Sequence, residues 1–254
     1  MAVRCVYTDL DGTLLGAGAS LFRDGDGAFT LLPARALEAC HRAGVEVVCM
    51  SGRRKAQVME DARLLGQDSY IYEIGGGVVV GAEEHFLCGE FDPADGRSPH
   101  ELIEASGAPA LLFDAYGDRL AHHSPWHSDR FVSHLYRGTV EPAEANALLE
   151  RHGHDGLRLV DNGGSHTGGR VYHLIPRETS KVAAVAWHMR ARGYAPHECV
   201  AVGDSVEDMT VALAVGRFYL VANSDAPAVA ANIVRTESGY GDGFYEAVVA
   251  ELMG

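Results

Sequence analysis

The chain has 254 residues, 47% hydrophobic and 22% charged, with 35 acidic against 21 basic side chains and a formal net charge of −14. That length and mix suit a globular protein with a sizeable core, in one large or two modest domains. The acidic balance excludes the basic footprint needed for nucleic acid or an anionic membrane, so an anionic substrate would have to meet local cations or a metal.

In chain order, Arg4–Thr8 reads as a short buried strand. The spacing predicts a helix over Pro33–Ala43, with proline near its first turn and Gly44 at its C-terminal cap. Val45–Met50 (VEVVCM) is an apolar strand, Arg54–Leu65 a helix stopped by Gly66, and Ser69–Ile74 a third strand. Apolar strands spaced by helices imply βαβ units and a parallel sheet with both faces covered. The pattern then changes. VVVG and EEHFLCGEF suggest short strands with tight turns, and residues 85 to 173 are richer in proline, histidine and turn residues, with ten of the 13 histidines. Helices are expected there near 99–105, 126–136 and 142–151, and strands near 110–114, 157–160 and 171–175. After Pro176 the βαβ rhythm resumes. Helices are expected over Ser180–Arg192, Val206–Ala214, near 225–230 and over Phe244–Leu252, with strands over Cys199–Val202, Phe218–Ala222 and near 232–235. The fold class is α/β: a Rossmann-like parallel-sheet core, residues 1–82 and 176–254, with an α+β domain, residues 83–175, inserted between its halves.

The five cysteines, Cys5, Cys40, Cys49, Cys88 and Cys199, are scattered and form no C-x-x-C pair. That argues against a disulfide framework or zinc site and for a reducing compartment. The N-terminus lacks a basic then apolar leader, and no apolar run approaches the roughly 20 residues of a membrane helix, so the expected location is the cytoplasm.

Ligands of an open α/β sheet bind beyond the carboxyl ends of the strands. Asp9 and Asp11 follow the first strand, Ser51-Gly52 the second, and Asp204, Ser205 and Asp208 the CVAVG strand, while Lys181 opens the helix after the insertion. Carboxylates suit the hard cation Mg²⁺, and Ser51, Lys181 and backbone N–H groups suit phosphate oxygens. Two carboxylates as close as Asp9 and Asp11 repel unless a cation bridges them or one holds a proton. Gly12 permits a tight turn, and the Thr13 hydroxyl can hydrogen-bond that turn and fix the carboxylate geometry. Each residue also has a plainer reading: Ser51 as a helix N-cap, Lys181 as a solvated side chain, Asp208 as a first-turn acid.

DLDGT at 9–13, SGR at 51–53, Lys181 and GDSVED at 203–208 resemble motifs one to four of the haloacid dehalogenase superfamily of phosphohydrolases, in order and spacing over the whole chain. The insertion lies between the second motif and the lysine, which resembles a type-two cap and the Cof-like branch that includes sucrose-phosphate and mannosyl-3-phosphoglycerate phosphatases. The resemblance implies a Mg²⁺-dependent phosphatase. By that resemblance Asp9 would be the nucleophile and Asp11 the acid and then the base. Thr13, Ser51, Gly52 and Lys181 would hold the phosphate, and the metal would be held by Asp9, Asp11 through its backbone carbonyl, Asp204 and Asp208. Glu207 stands where the family often has asparagine; it either adds charge near the metal or faces solvent on the first turn of its helix. An Asn-Gly pair of the family is likewise absent at Ile74-Gly75-Gly76.

The expected substrate is a small phosphorylated metabolite, with a sugar phosphate or phosphorylated glycoside the best class. Candidate substrate contacts are Arg23 in the glycine-rich stretch 16–29, Arg53, and His166 and Arg170 in DNGGSHTGGR. The inserted histidines lack metal-ligand spacing. A phosphotransferase or mutase with the same chemistry, and a non-catalytic relative that binds a phosphorylated ligand, are the alternatives. The sequence leaves the oligomeric state open.

Overall fold

Every side chain of β1 (Cys5–Thr8) is buried, as are all those of β2 (Glu46–Met50) after its first residue and of β3 (Ser69–Tyr72). This is what parallel strands covered on both faces require. The computed structural model describes residues 3–164 and 168–253. Successive side chains point to opposite faces. Val6, Val47 and Cys49 pack with Ala36 and Cys40 of α1 (Leu32–Ala43) and with Val58 of α2 (Lys55–Leu64). Helix α1 stops at Gly44, whose φ of +69° is a left-handed conformation that glycine takes without strain. Strands β4 (Gly77–Val80) and β5 (Glu83–Phe86) then fold back antiparallel beside β3. Residues 83–86, assigned from the sequence to the insertion, are therefore hydrogen-bonded into the larger sheet.

The inserted segment runs α3 (Pro99–Ala105), α4 (Ala108–Tyr116), β6 (Leu120–His122), β7 (His134–Gly138), α5 (Pro142–Arg151), β8 (Leu157–Gly164) and β9 (Arg170–Pro176). Its strands form an antiparallel sheet in the order β6-β7-β9-β8. Tyr136, Leu159, Tyr172 and Leu174 on one face meet Ile103, Leu112 and Leu149 of the three helices in a core of their own. The alternate residues Leu135, His173 and Val160 lie abreast on the other face. That face is turned to the larger sheet, since Arg158 bonds the Thr179 carbonyl at 2.7 Å and Arg130 the Gly52 carbonyl at 3.1 Å.

The chain returns through α6 (Lys181–Arg192), β10 (Cys199–Gly203), α7 (Val206–Met209), β11 (Arg217–Leu220), β12 (Ile233–Arg235) and α8 (Tyr240–Met253). Cys5, Tyr7, Val48 and Met50 on the second face of the sheet pack with Ala184, Val185 and Met189 of α6. The sheet order is β12-β11-β10-β1-β2-β3-β4-β5, with the parallel run extending from β12 to β3. The chain moves outward one way from β1 and the other way from β10, so the topological switch lies between them, where this architecture opens a crevice. No helix of the described residues is long and apolar enough to cross a membrane.

Four expectations fail locally. The apolar run 110–114 lies inside α4, because a short apolar stretch fits a buried helix as well as a strand, and Gly107 with Pro109 starts the helix earlier. The expected helix over 126–136 is a loop followed by β7: Asp129 has φ of +57°, and the amides of residues 131 to 133 donate to the Glu73 carboxylate rather than along a helix. No helix forms over 225–230. The third strand also stops at Tyr72, since Glu73 and Ile74 turn to φ of +48° and +59°.

Two histidines of the inserted sheet are buried. Burial, with His100 beside it, pulls His134 down to about 3. Burial, then the charges of Arg130 and Lys181, pulls His173 well below the ordinary range. Both remain neutral in the folded chain and become ordinary histidines in the unfolded one. The unfolded chain therefore binds more protons once pH falls below about 6.5, and each group lowers stability by up to about 1.4 kcal/mol per pH unit in that window. On going from pH 7 to pH 5, the urea midpoint of His134→Gln should fall less, or rise more, than that of the parent chain. The same pH dependence in the two proteins would contradict this.

Candidate active site

Asp9, Ser51 and Asp204 are each the first residue beyond β1, β2 and β10, three adjacent strands. The ladder still holds two of them: Asp9 N donates to Val202 O at 3.1 Å and Ser51 N to Ile71 O at 3.0 Å. The sheet thus sets their separation before any side chain interacts. Gly12 turns the chain at φ of +85°, and a Cβ there would run into Asp204 Oδ2, so only glycine lets the first loop approach the last.

Asp9, Asp204 and Asp208 each offer a carboxylate oxygen, all within 4.8 Å of one another. Lys181 Nζ, itself buried, donates to Asp9 Oδ1 at 2.7 Å and Asp208 Oδ1 at 2.5 Å. The other oxygen of Asp208 accepts from Ser205 Oγ at 2.6 Å and Ser205 N at 3.0 Å. Asp204 Oδ1 accepts from the buried Thr13 hydroxyl at 3.4 Å. Three carboxylates face one ammonium, a surplus of two negative charges.

The titration of the group follows from that surplus. Burial raises Asp9 well above the ordinary carboxylate range; Lys181 opposes this, and Asp208 and Asp204 reinforce it. Burial and then the Asp208 charge push Asp204 up to about 7. Burial by itself would discharge Lys181, but Asp208 and Asp9 outweigh it and hold the ammonium charged. A hard divalent cation matches both the oxygen donors and the missing charge.

No family model matches the chain. It is 28% identical to a phosphoglycolate phosphatase of Methanoculleus marisnigri, over 97% of this chain and 95% of that protein. A phosphoglycolate phosphatase of Halobacterium salinarum is also 28% identical, over 94% and 93% of the two chains. The sucrose-phosphatase of Synechocystis sp. PCC6803, solved with sucrose and phosphate, superposes with a TM-score of 0.69 at 16% identity, covering 100% of this chain and 99% of that one. A haloacid dehalogenase-like hydrolase of Bacteroides thetaiotaomicron superposes with a TM-score of 0.65 at 16% identity, covering 98% and 99%. Over almost its whole length the chain is similar in sequence to phosphoglycolate phosphatases, and its fold is that of the haloacid dehalogenase-like hydrolases.

The Asp11 carboxylate stands apart from the buried trio. It is 56% exposed and held by both arms of Arg53, Nε at 2.6 Å and Nη2 at 2.5 Å, while Arg53 Nη1 reaches Asp61 at 2.8 Å. Arg53 is therefore engaged within the core. Ser51 Oγ accepts from the Arg53 amide at 3.2 Å, and the Gly52 carbonyl accepts from Arg130. Arg23 is exposed on the 16–29 loop, which a bridge from Arg23 to Phe29 closes, and it makes no ion pair among the described residues. Arg170 pairs with Asp161 and, two residues from Tyr172, shares the helix-covered face of the inserted sheet, opposite the face that carries His173. His166 lies outside the described residues. Glu207 neither faces solvent nor joins the carboxylates: it bonds Arg158 of the inserted sheet at 3.2 Å.

The inserted sheet brings residues that the motifs did not signal. A Cβ on Gly52 would stand 3.0 Å from Asn162 Nδ2 and 3.1 Å from His173 Nε2. Period-two alternation in RVYHLIP, with Tyr172 and Leu174 inward, would have placed His173 on the crevice side.

Lys181→Met would leave two buried carboxylates without their cation, a change costing about 3–5 kcal/mol when one partner of a buried pair is removed. Denaturant unfolding should show that loss, and adding Asp208→Asn should recover part of it. Independent, additive effects would contradict the bridge.

Proposed function

We propose that this phosphatase is a Mg²⁺-dependent hydrolase of small organic phosphate monoesters that works through an aspartyl-phosphate on Asp9. The observation that supports this best is the surplus of two negative charges around Asp9, Asp204 and Asp208 at the topological switch, with one lysine bound to the first and last. Asp9, Asp204 and the backbone carbonyl of Asp11 would hold Mg²⁺, with Asp208 beside them, and the ion supplies positive charge to the phosphoryl oxygens.

Lys181 fixes Oδ1 of Asp9, which aims the carboxylate at the crevice. An Asp9 oxygen attacks phosphorus, the bond from phosphorus to the ester oxygen breaks, and Asp11 gives that oxygen its proton as the alcohol leaves. Asp11 then takes a proton from water as the water oxygen attacks phosphorus. The bond to Asp9 breaks, and inorganic phosphate departs with the Asp9 carboxylate restored. Ser51, the Gly52 amide and Lys181 neutralise and orient the transferring group, which asks for positioning and charge more than for covalent help. Arg53 keeps Asp61 as a partner when Asp11 turns to the leaving oxygen. The inserted domain acts as a cap that closes the crevice against bulk water.

A sugar phosphate or phosphorylated glycoside is one substrate class for this site. The relatives named phosphoglycolate phosphatase favour a second, 2-phosphoglycolate.

Phosphate release from a panel of esters should require Mg²⁺ and stop on chelation. Asp9→Asn should lose about 10⁴-fold or more in kcat, and Asp11→Asn about 10²–10⁴-fold. Release that persists in Asp9→Asn would sink the aspartyl-phosphate route.

A further inference from the structure

A chain of buried hydrogen bonds runs from the core into the cap and ends at the crevice. Glu73 is fully buried, and its carboxylate accepts from the amides of Phe131 at 2.9 Å, Val132 at 3.1 Å and Ser133 at 2.7 Å. Four donors on one carboxyl group, with the Arg130 guanidinium 3.7 Å away, require it to be the anion, which only accepts. The fourth donor is the Ser133 hydroxyl at 2.9 Å. A hydroxyl has one proton, and here it is committed to Glu73.

Two further groups meet Ser133 Oγ: Arg130 Nη1 at 3.0 Å and His173 Nδ1 at 3.1 Å. Arginine only donates, and the serine has no second proton to give, so His173 Nδ1 must carry the hydrogen. In a neutral imidazole the other nitrogen is then a bare acceptor. Burial and the charges of Arg130 and Lys181 keep the ring neutral. Nε2 has no hydrogen-bond partner among the described residues and points at the Cα face of Gly52, where the amide nitrogen of Asn162 converges with it.

We propose that His173 and Asn162 read a hydroxyl group of the leaving alcohol, His173 Nε2 accepting its proton and Asn162 Nδ2 donating to its oxygen, so that the enzyme prefers short hydroxylated phosphate esters to carboxylated ones. The inference rests on the phosphatase reading above and chooses between its two substrate classes. An acceptor beside a donor complements a hydroxyl. A carboxylate has no proton for Nε2 and would place its lone pairs against that nitrogen in a site nearly closed to water. A site built to bond a hydroxyl rejects analogues that lack it far more strongly than an apolar pocket rejects a missing methylene. The nearness of Nε2 to the Ser51-Gly52 turn, where the phosphate would sit, places the hydroxyl within a few bonds of the ester oxygen. Glu73 and Ser133 are positioning residues, since they touch no substrate and act by setting the tautomer.

The test uses the full chain with Mg²⁺ and three esters of similar size: glycerol 3-phosphate, 2-phosphoglycolate and ethyl phosphate. The expected order in kcat/KM is glycerol phosphate first, by at least tenfold over each of the others. His173→Phe should lower the ratio of glycerol phosphate to ethyl phosphate at least tenfold, chiefly through KM, and Asn162→Leu should do the same to a smaller degree. The ¹⁵N spectrum of the wild-type protein should show His173 protonated at Nδ1, and Ser133→Ala should release that tautomer. Preference for phosphoglycolate, equal handling of the three esters, or protonation at Nε2 would each overturn the proposal while leaving a phosphatase in place. Failure to hydrolyse any ester with Mg²⁺ bound would overturn the phosphatase reading and this one together.

Discussion

The ammonium of Lys181 between Asp9 and Asp208 is the interaction on which the rest of the site depends. The partners lie 172 and 27 residues away along the chain, so the bridge forms only when β1, α6 and the turn before α7 have met. Buried carboxylates at this spacing are tolerable only with positive charge among them or a proton on one. One lysine supplies part of that charge, and the deficit that remains is what a divalent cation would fill under the proposed function. Stability and chemistry would then be opposed here, since a second fixed lysine would quiet the repulsion and take the place of the cation.

Another buried carboxylate, apart from that cluster, couples the two sheets. Glu73 and Ile74 hold left-handed backbone conformations that strain side-chain-bearing residues, of order 1–3 kcal/mol each. Four hydrogen bonds to the Glu73 carboxylate offset that strain and pin residues 131–133 of the cap to the end of β3. Arg130, anchored in the same cluster, then reaches the Gly52 carbonyl beside Ser51. Cap position and the geometry of the second motif are in this way parts of one network. Glu207 with Arg158 forms another contact across the same seam.

The core was legible because its signals are local. Continuous apolar runs of four to six residues between amphipathic stretches identify parallel strands, and polar residues just past each run fall at the crevice whatever the details of packing. The cap was less legible for the same reason. ALLFD reads equally as strand or helix until Gly107 and Pro109 are seen to start a helix. Residues 126–136 carry helical spacing that the Glu73 carboxylate overrides by taking their amides. Arg170 looked like an anion contact because its loop is rich in glycine, yet strand alternation turns it to Asp161 on the far face.

By itself the sequence determined most of the order of strands and helices in the core, the residues gathered at the carboxyl ends of its strands, and the family they resemble, since all of these depend on periodicity and short spacings. Tertiary structure alone decided what those residues touch. Asp11 went to Arg53, Thr13 to Asp204 and Glu207 to Arg158, and His173 met Gly52, because each contact joins segments whose distance is set by sheet order and by how the cap sits on the core. No local pattern encodes that distance; it follows from burial of the whole chain at once.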